Sequence, residues 1–502
     1  MKRWSILICC LLSVTCCLFA QVVHPKINKT VQSADGRISI ELIGKKQFYD
    51  PSEEATADSD INSPKSVNVH PNGKKFYVNS LEGATTVVYD FQTYKKLAVI
   101  KHQFDHTKDA HLWSKPSGLY PFTHYQDDHL NTFYGKPVES TFTHGGRYLW
   151  VPYYRRSYDI NAQDPSAVAV IDTETDQIVR LMETGPLPKM IATSPDGQLI
   201  AVSHWGNNTV GLIDISSESP KLWKHLTVLA VDKELILNFP LDRSVDRDNN
   251  SGYALRGTVF TPDGKFLLVG CMGGGGGIAV IDVVQKRYLG RLMGMLPNVR
   301  HLVISNGYLY LSINGAGVIQ RIRLEKFLEA AMHMKNKVGD VKGWESCHVG
   351  RGARTISLSP DGRYVFAACN NVSQLYVVDT QTMKVIAYID VDSYPVGLDI
   401  SSDGRYLFTT SQGRNNSGGN AVDIFEVTYS TPPTLPVLSS TQEEIVDSIA
   451  MNSATSVIDS SDNHILIYGV AIIVLVLLIG ILGWRFSKRT KLKTLSNKMI
   501  SL

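Results

Sequence analysis

The chain has 502 residues, 43% of them hydrophobic, with 50 Lys and Arg against 47 Asp and Glu and a formal net charge of +3. This near balance gives no reason to expect a nucleic-acid partner, and the length is sufficient for a large folded core. Most of the 7 cysteines lie in the N-terminal segment, and the others, Cys271, Cys347 and Cys369, are too few for a disulfide scaffold.

Residues 1–20 have the pattern of a secretory signal peptide. Lys2 and Arg3 precede the apolar stretch WSILICCLLSVTCCLFA, which is too short for a stop-transfer helix, so we expect cleavage after Ala20. A lipoprotein signal at Cys16 is the alternative, although Thr15 fits poorly to the small residue that should precede it. Either signal predicts an exported protein.

The chain then repeats a unit in which a Pro-Gly turn is followed by an apolar run, a polar turn and a second run ending near Asp. SPDGRYVFAACNNVSQLYVVDT begins at Ser359, and similar strings begin at His70, Ser194 and Thr261. This order is typical of β-hairpins and not of helices. Aligned on the glycine of the first turn, the copies number seven: Gly73, Gly146, Gly197, Gly264, Gly307, Gly362 and Gly404.

Seven such units predict an all-β fold, a seven-bladed β-propeller of four-stranded blades spanning residues 37–428. The last unit supplies three strands, so we expect the N-terminal GRISIELIG, residues 37–44, to complete it and close the ring. A helix is predicted over 324–335 from the spacing of its apolar residues.

The C-terminal part predicts a membrane tether. Residues 429–463 are rich in Ser, Thr and Pro and predict a flexible stalk. Residues 464–484 are apolar and long enough for a single transmembrane helix. The basic tail, 485–502, should remain in the cytoplasm by the positive-inside rule. We therefore expect a single-pass protein of the cell membrane, with its propeller in the periplasm or at the cell surface.

The repeated SPDGRYVFAAC and LYVVDT strings resemble the YVTN-type β-propeller repeat family of exported bacterial and archaeal proteins, over about residues 60 to 428. WD-type blades match less well because neither their Gly-His nor their Trp-Asp pair recurs. The resemblance implies the propeller fold. It implies no particular activity, because the family resembles cell-surface antigens, lactonases and haem- or quinone-dependent oxidoreductases in architecture.

Propeller geometry places the start of each inner strand near the rim of the central channel. The residues at that place, seven or eight before each turn glycine, are Lys65, Glu139, Lys189, Arg256, Arg300, Arg354 and Val396. Five of them are cationic, which predicts a site for an anion, since guanidinium groups match carboxylate, phosphate or sulfate. Turns on the same face add Arg155, Arg156, His204, Trp205, Asn370, Gln412 and Arg414, and His301 directly follows Arg300. Local pairing of each cation with a loop carboxylate is the alternative.

Other motifs are weaker. The run Gly273 to Gly277 precedes a strand and therefore predicts a tight turn, not a phosphate loop. DRDNNSG from Asp246 is closer to a turn capped by carboxylates than to a calcium loop. The insertion 102–129 contains five histidines without a recognised ligand spacing, so surface histidines are favoured over a metal site: His102, His106, His111, His124 and His129.

Two function classes remain open. The favoured one is a membrane-tethered binding module that presents its cationic face to an anionic small molecule, glycan or protein partner. The alternative is an exported enzyme, a lactonase-like hydrolase or a cofactor-dependent oxidoreductase, although no motif identifies a nucleophile, a metal or a cofactor. A Cys347–Cys369 disulfide is also expected, because both residues should lie on the same face in an oxidising compartment.

Overall fold

The computed structural model describes residues 22–105, 107–113, 117–120, 132–236, 244–414 and 417–433. Two strands precede the first blade, β1 (Thr30–Gln32) and β2 (Ile38–Gln47). Blade one has β3 (Pro64–Val69), β4 (Lys75–Ser80), β5 (Thr85–Asp90) and β6 (Lys96–Lys101). Blade two has β7 (Gln103–Phe104), β8 (Phe133–Pro137), β9 (Thr141–Thr143), β10 (Tyr148–Arg156), β11 (Ala167–Asp172) and β12 (Gln177–Glu183).

Blade three has β13 (Pro188–Thr193), β14 (Leu199–His204), β15 (Thr209–Asp214) and β16 (Lys224–Ala230). Blade four has β17 (Leu255–Phe260), β18 (Phe266–Cys271), β19 (Ile278–Asp282) and β20 (Arg287–Met293). Blade five has β21 (Val299–Ser305), β22 (Tyr308–Ile313), β23 (Val318–Arg323) and β25 (Glu345–His348). Helix α1 (Leu324–Met332) and strand β24 (Val338–Asp340) lie between β23 and β25 in the chain. Blade six has β26 (Ala353–Leu358), β27 (Tyr364–Cys369), β28 (Gln374–Asp379) and β29 (Lys384–Asp390), and blade seven has β30 (Pro395–Ile400), β31 (Tyr406–Ser411) and β32 (Ala421–Tyr429).

The seven sheets form a closed ring, as the repeats predict. Paired strands within each blade's four-stranded unit are antiparallel. The inner strands β13, β17, β21, β26, β30 and β3 contact one another in that order, and blade two joins them because β10 contacts β13 and β8 contacts β4. The last contact, between β30 and β3, joins blade seven to blade one. Strand β2 pairs antiparallel with β32 from Ile38↔Tyr429 to Gln47↔Ala421, so the N-terminal segment is the fourth strand of blade seven.

Turn chemistry explains why the units fold alike. Each aligned glycine lies between the first two strands of its blade, or between β9 and β10 in blade two, with φ between +66° at Gly73 and +101° at Gly146. Only glycine adopts such angles without a steric cost. Apolar side chains of the strands then pack in cores between adjacent blades. For example, Phe366 and Leu375 of blade six share a core with Leu407 and Phe425 of blade seven.

Three departures from the prediction involve added elements. Blade four gains a fifth strand, because β24 pairs parallel with β20, and blade seven gains β1 beside β2. In blade two, β9 and β8 pair with successive parts of the long β10.

Helix α1 ends at Met332, three residues before the predicted end, and buries Leu324, Phe327 and Ala331.

None of the helices in the described part of the chain is long and apolar enough to cross a membrane. The predicted signal peptide 1–20, the transmembrane segment 464–484 and the basic tail 485–502 lie outside the described residues, as does the stalk beyond residue 433.

Candidate functional site

The inner strands share a β-bulge near their first residues. Pairing with the second strand skips Lys65 in β3, Lys189 in β13, Arg300 in β21 and Val396 in β30. In β17 and β26 the same irregularity covers Arg256 and Arg354. A bulge leaves a residue out of the ladder and re-aims its side chain. We call these residues, together with Glu139 before β9, the channel mouth.

Ion pairs across the ring show that the side chains of the channel mouth converge. Nη2 of Arg256, from blade four, donates to Oε1 of Glu139, from blade two, at 3.1 Å. Nζ of Lys65, from blade one, lies 3.5 Å from the same oxygen. Blades four and one are not neighbours in the ring, so their side chains meet at Glu139 only by reaching into the central channel.

Several nitrogens at this place have no hydrogen-bond partner among the residues that the structure describes. They are Nζ of Lys65, Nε of Arg300 and Nε of Arg354, all buried. Nη1 of Arg300 has only the sulfur of Met272, at 3.1 Å. Buried polar groups are usually satisfied. Lys65, Arg256, Arg300 and Arg354 therefore surround the carboxylate of Glu139, with Asp248 as a second acidic neighbour of Arg256, and part of their donor capacity is unused.

Burial and like charge shift the pKa values of these groups. Burial is the main cause of the lowered pKa of Arg354, about 10, and the neighbouring Arg256 adds to it. Burial also lowers the pKa of Arg300 well below its ordinary value, with Arg354 as the next cause. The pKa of Glu139 is lowered despite its burial, because Lys65 and Arg256 stabilise its charge.

Lys189 belongs to a second group at the same end of the channel. Its Nζ donates to Oδ1 of Asp248 at 3.0 Å and lies 3.7 Å from the ring centre of Tyr154 and 5.1 Å from that of Trp205. The indole nitrogen of Trp205 donates to the Asp248 carbonyl at 3.0 Å, and the Tyr154 hydroxyl donates to the Asp248 carboxylate. Burial lowers the pKa of Lys189 to about 7 despite this pairing.

His301 and Tyr394 lie next to the channel mouth. Burial lowers the pKa of His301 to about 4, although the charge of Glu139 acts in the opposite direction. Its Nδ1 accepts a long hydrogen bond, 3.5 Å, from the backbone N–H of Ile356. Tyr394 interacts with Arg354 through its side chain.

Three predicted site residues make contacts within or between blades. Arg156 is 1% exposed and pairs with the carboxylate of Glu183 inside blade two. Nε2 of the buried His204 accepts from the backbone N–H of Gly185 at 3.1 Å, so this ring cannot line a pocket. Gln412 donates to Ser63 at 3.0 Å and joins blade seven to blade one.

The remaining predicted residues lie around the mouth without joining its ion pairs. The guanidinium of Arg155 donates to the carbonyl of Ile160. Asn370 and Arg414 line a cavity of about 210 Å³ between blades six and seven, which Tyr394 also lines. The Arg414 guanidinium lies 5.9 Å from the ring centre of Tyr394, so this cavity adjoins the residue that contacts Arg354.

The predicted Cys347–Cys369 disulfide is not formed. Cys347, Cys369 and Cys271 are free, buried thiols. Cys347 and Cys369 share the apolar core between blades five and six, where each sulfur donates to a backbone carbonyl at 3.7 Å. They pack as small apolar residues.

The weaker motifs turn out to be structural in the described residues. The glycine run turns around the Arg291 guanidinium, which donates to the carbonyl of Gly274 at 2.8 Å and to that of Gly276. DRDNNSG is a turn capped by Asp246, as predicted. No cluster of three metal-ligating side chains occurs among the described residues. His102 is buried and His111 exposed, whereas His106, His124 and His129 lie outside the described residues.

Sequence reasoning missed Tyr154, Asp248 and Tyr394 at the mouth. Tyr394 directly precedes β30 and lies two residues before Val396, the bulge residue of blade seven. The repeat alignment could therefore have placed Tyr394 near the mouth. Asp248 was recognised only as part of a polar turn. Its contact with Lys189, 59 residues away, has no local signature.

Comparisons with known proteins support the fold. No family model matches the chain. Antigen Lp49 of Leptospira interrogans serogroup Icterohaemorrhagiae serovar copenhageni (strain Fiocruz L1-130) is 25% identical over 271 residues, 49% of this chain and 51% of that protein. The chain thus matches about half the length of this relative.

Two solved structures are similar in shape. Hydrazine synthase of Kuenenia stuttgartiensis has a TM-score of 0.51 and 14% identity, covering 74% of this chain and 96% of that one. The β-propeller domain of Myceliophteria thermophila Cps50 (Swd1) has a TM-score of 0.49 and 14% identity, covering 73% and 97%. At such identity the first likeness shows the fold alone. Membership of the YVTN repeat family remains a resemblance.

Proposed function

We propose that this propeller is a binding module whose channel mouth holds an anionic ligand, either a small molecule or an acidic group of a glycan or protein partner. One observation carries the proposal: the four cations Lys65, Arg256, Arg300 and Arg354 surround the carboxylate of Glu139, and three of their nitrogens have no hydrogen-bond partner among the described residues. An anion would accept those hydrogen bonds and relieve the repulsion.

Burial adds weight to this proposal. The exposed fractions of Lys65, Arg256 and Arg354 are 5%, 4% and 8%. Burying a charge costs free energy unless the charge is paired. The mouth has more cations than carboxylates, so binding of an external anion would stabilise it. A surface cluster with the same charges would be neutralised by solvent and salt instead.

We further propose that the chain is exported and held at the membrane by its C-terminal segment. Strand β32 begins beside Ser411 at the mouth side and ends at Tyr429, whose hydroxyl donates to the carbonyl of the turn residue Gly404 at 3.0 Å. The backbone N–H of Ser430 then donates to the backbone carbonyl of Arg37 at 2.9 Å. Ser430 therefore lies at the end of blade seven opposite to the mouth.

The binding proposal is tested by calorimetric titration of the purified protein, at low ionic strength, with a panel of mono-, di- and polyanions. Arg354→Ala should weaken binding by at least about tenfold, the equivalent of about 1.4 kcal/mol. Arg405→Ala is the matched control, because Arg405 is 58% exposed on its side chain and pairs with Glu426 at the opposite end of blade seven. Equal effects of the two variants, or no binding by any anion, would overturn the proposal.

The tether is tested separately by cell fractionation. The full chain should sediment with membranes, and a chain ending at residue 463 should be released into the soluble extracytoplasmic fraction. Recovery of the full chain without membranes would overturn this part and leave the binding proposal standing.

A further inference from the structure

Lys65 differs from the other lysine of the channel mouth. Its Nζ is buried and has no hydrogen-bond partner, and its nearest carboxylate oxygen, on Glu139, is 3.5 Å away. Lys189, by contrast, donates to Asp248 at 3.0 Å. The ammonium form of Lys65 is therefore the poorly stabilised charge of the site.

The charged groups that face Lys65 come from four other blades. They are Glu139 from the segment before β9, Arg256 from β17, Arg300 from β21 and Arg354 from β26. The adjacent β30 contributes the uncharged Val396 at the equivalent place. Burial, followed by repulsion from Arg354, lowers the pKa of Lys65 well below its ordinary value, and Glu139 opposes this only in part.

The charge balance indicates which anion the site can hold. When Lys65 is neutral, three guanidinium groups face the carboxylate of Glu139, and the ion pair of Lys189 and Asp248 adds no net charge, which leaves an excess of two positive charges. A dianion balances that excess. Its negative charge also raises the pKa of Lys65, which favours the protonated form of that side chain. The space is narrow, since Lys65 and Arg256 reach the same carboxylate oxygen, so the ligand group must be compact.

Resting on the proposed function, we infer that the channel mouth takes a compact dianionic oxyanion group, and that its binding brings one proton onto Lys65. The sign follows from linkage. The proton is taken up at pH values between the lowered pKa of Lys65 in the free protein and its higher pKa beside the anion. In that window affinity falls as pH rises, by at most about tenfold per pH unit for one proton.

Sulfate is the probe, because it remains a dianion throughout the range and contributes no proton of its own. Titration calorimetry at several values between about pH 6 and 9, in pairs of buffers that differ in ionisation enthalpy, measures the protons exchanged on binding. We expect uptake that approaches one proton in part of this range, and none at pH values where free Lys65 is already charged.

Three variants assign the proton. Lys65→Arg keeps a charge that does not titrate in this range, so sulfate should bind without proton uptake and with little pH dependence. Lys65→Met should bind several-fold more weakly, also without uptake. Lys189→Arg removes the other titratable amine of the channel mouth, whose pKa burial lowers to about 7, so uptake that persists in this variant assigns the proton to Lys65. Uptake that survives Lys65→Arg and disappears in Lys189→Arg would overturn the assignment.

The remaining outcomes separate this inference from the proposed function. Sulfate binding without proton exchange in the wild-type protein would overturn the proton-coupled site and leave anion binding intact. Formate binding as tightly as sulfate, or a polyanion binding where sulfate does not, would overturn the compact dianion in the same way. If none of these anions binds in an Arg354-dependent manner, both proposals fail.

Discussion

Replacing Glu139 by Gln tests how the channel mouth is balanced, since it removes the carboxylate that Arg256 and Lys65 share. At an effective dielectric constant of about 20, each pair at these distances has a Coulomb energy of about 5 kcal/mol. Relief of the carboxylate's own desolvation offsets much of this. For the loss of one partner in a buried pair, the net destabilisation is about 3–5 kcal/mol.

The same substitution should strengthen anion binding, because Glu139 occupies part of the cationic site. We expect Glu139→Gln to bind sulfate at least about tenfold more tightly than the wild-type protein. Sulfate should then recover much of the lost stability, since ligand at about a hundred times its Kd contributes about 2.7 kcal/mol. Stability and affinity should thus change in opposite directions.

Urea unfolding in low-salt buffer, with and without sulfate, measures both effects. The matched control is Glu426→Gln, which breaks an exposed pair with Arg405 at 3.0 Å and should cost at most about 1 kcal/mol. If Glu139→Gln proved as stable as this control, the mouth cations would not depend on Glu139. If it bound sulfate more weakly than the wild-type protein, Glu139 would be positioning the ligand and not competing with it.

Three further substitutions test other parts of the argument. Arg156→Met leaves the buried Glu183 without its partner, so urea unfolding should show a loss of about 3–5 kcal/mol with no change in sulfate affinity. Burial lowers the pKa of His102 to about 3. The imidazole of the unfolded chain is protonated first, at its ordinary pKa of 6.5, so the stability of the wild-type protein falls as the pH decreases below that value. His102→Gln should reduce this pH dependence in acid-unfolding curves. Gly277→Ala should lower the melting temperature more than Gly275→Ala. Both glycines have positive φ, +94° and +85°, but a new Cβ at residue 277 would lie 2.6 Å from a methionine sulfur, whereas no atom of the described residues lies within 4 Å of one at residue 275. Equal shifts would show that backbone strain alone matters.

The sequence alone determined the architecture and its closure. Turn glycines such as Gly197 and Gly362, followed by alternating apolar runs, are signals within about ten residues, and each predicts its own hairpin. The count of these units, with a three-stranded last copy, implied that residues 37–44 complete the ring. The same alignment identified Lys65, Arg256, Arg300 and Arg354, because the bulge recurs at one place in the repeat.

Only the tertiary structure decided which of the charged residues are paired. Arg256 and Glu139 are 117 residues apart, and the ring brings them to 3.1 Å. Arg155 and Arg156 are adjacent in the sequence, yet Arg156 is buried against Glu183, whereas Arg155 is not. Turn type and strand alternation are local properties, but an ion pair depends on blades that meet only after the ring has closed. For this reason the positions of the mouth cations could be predicted, and their shortage of carboxylates could not.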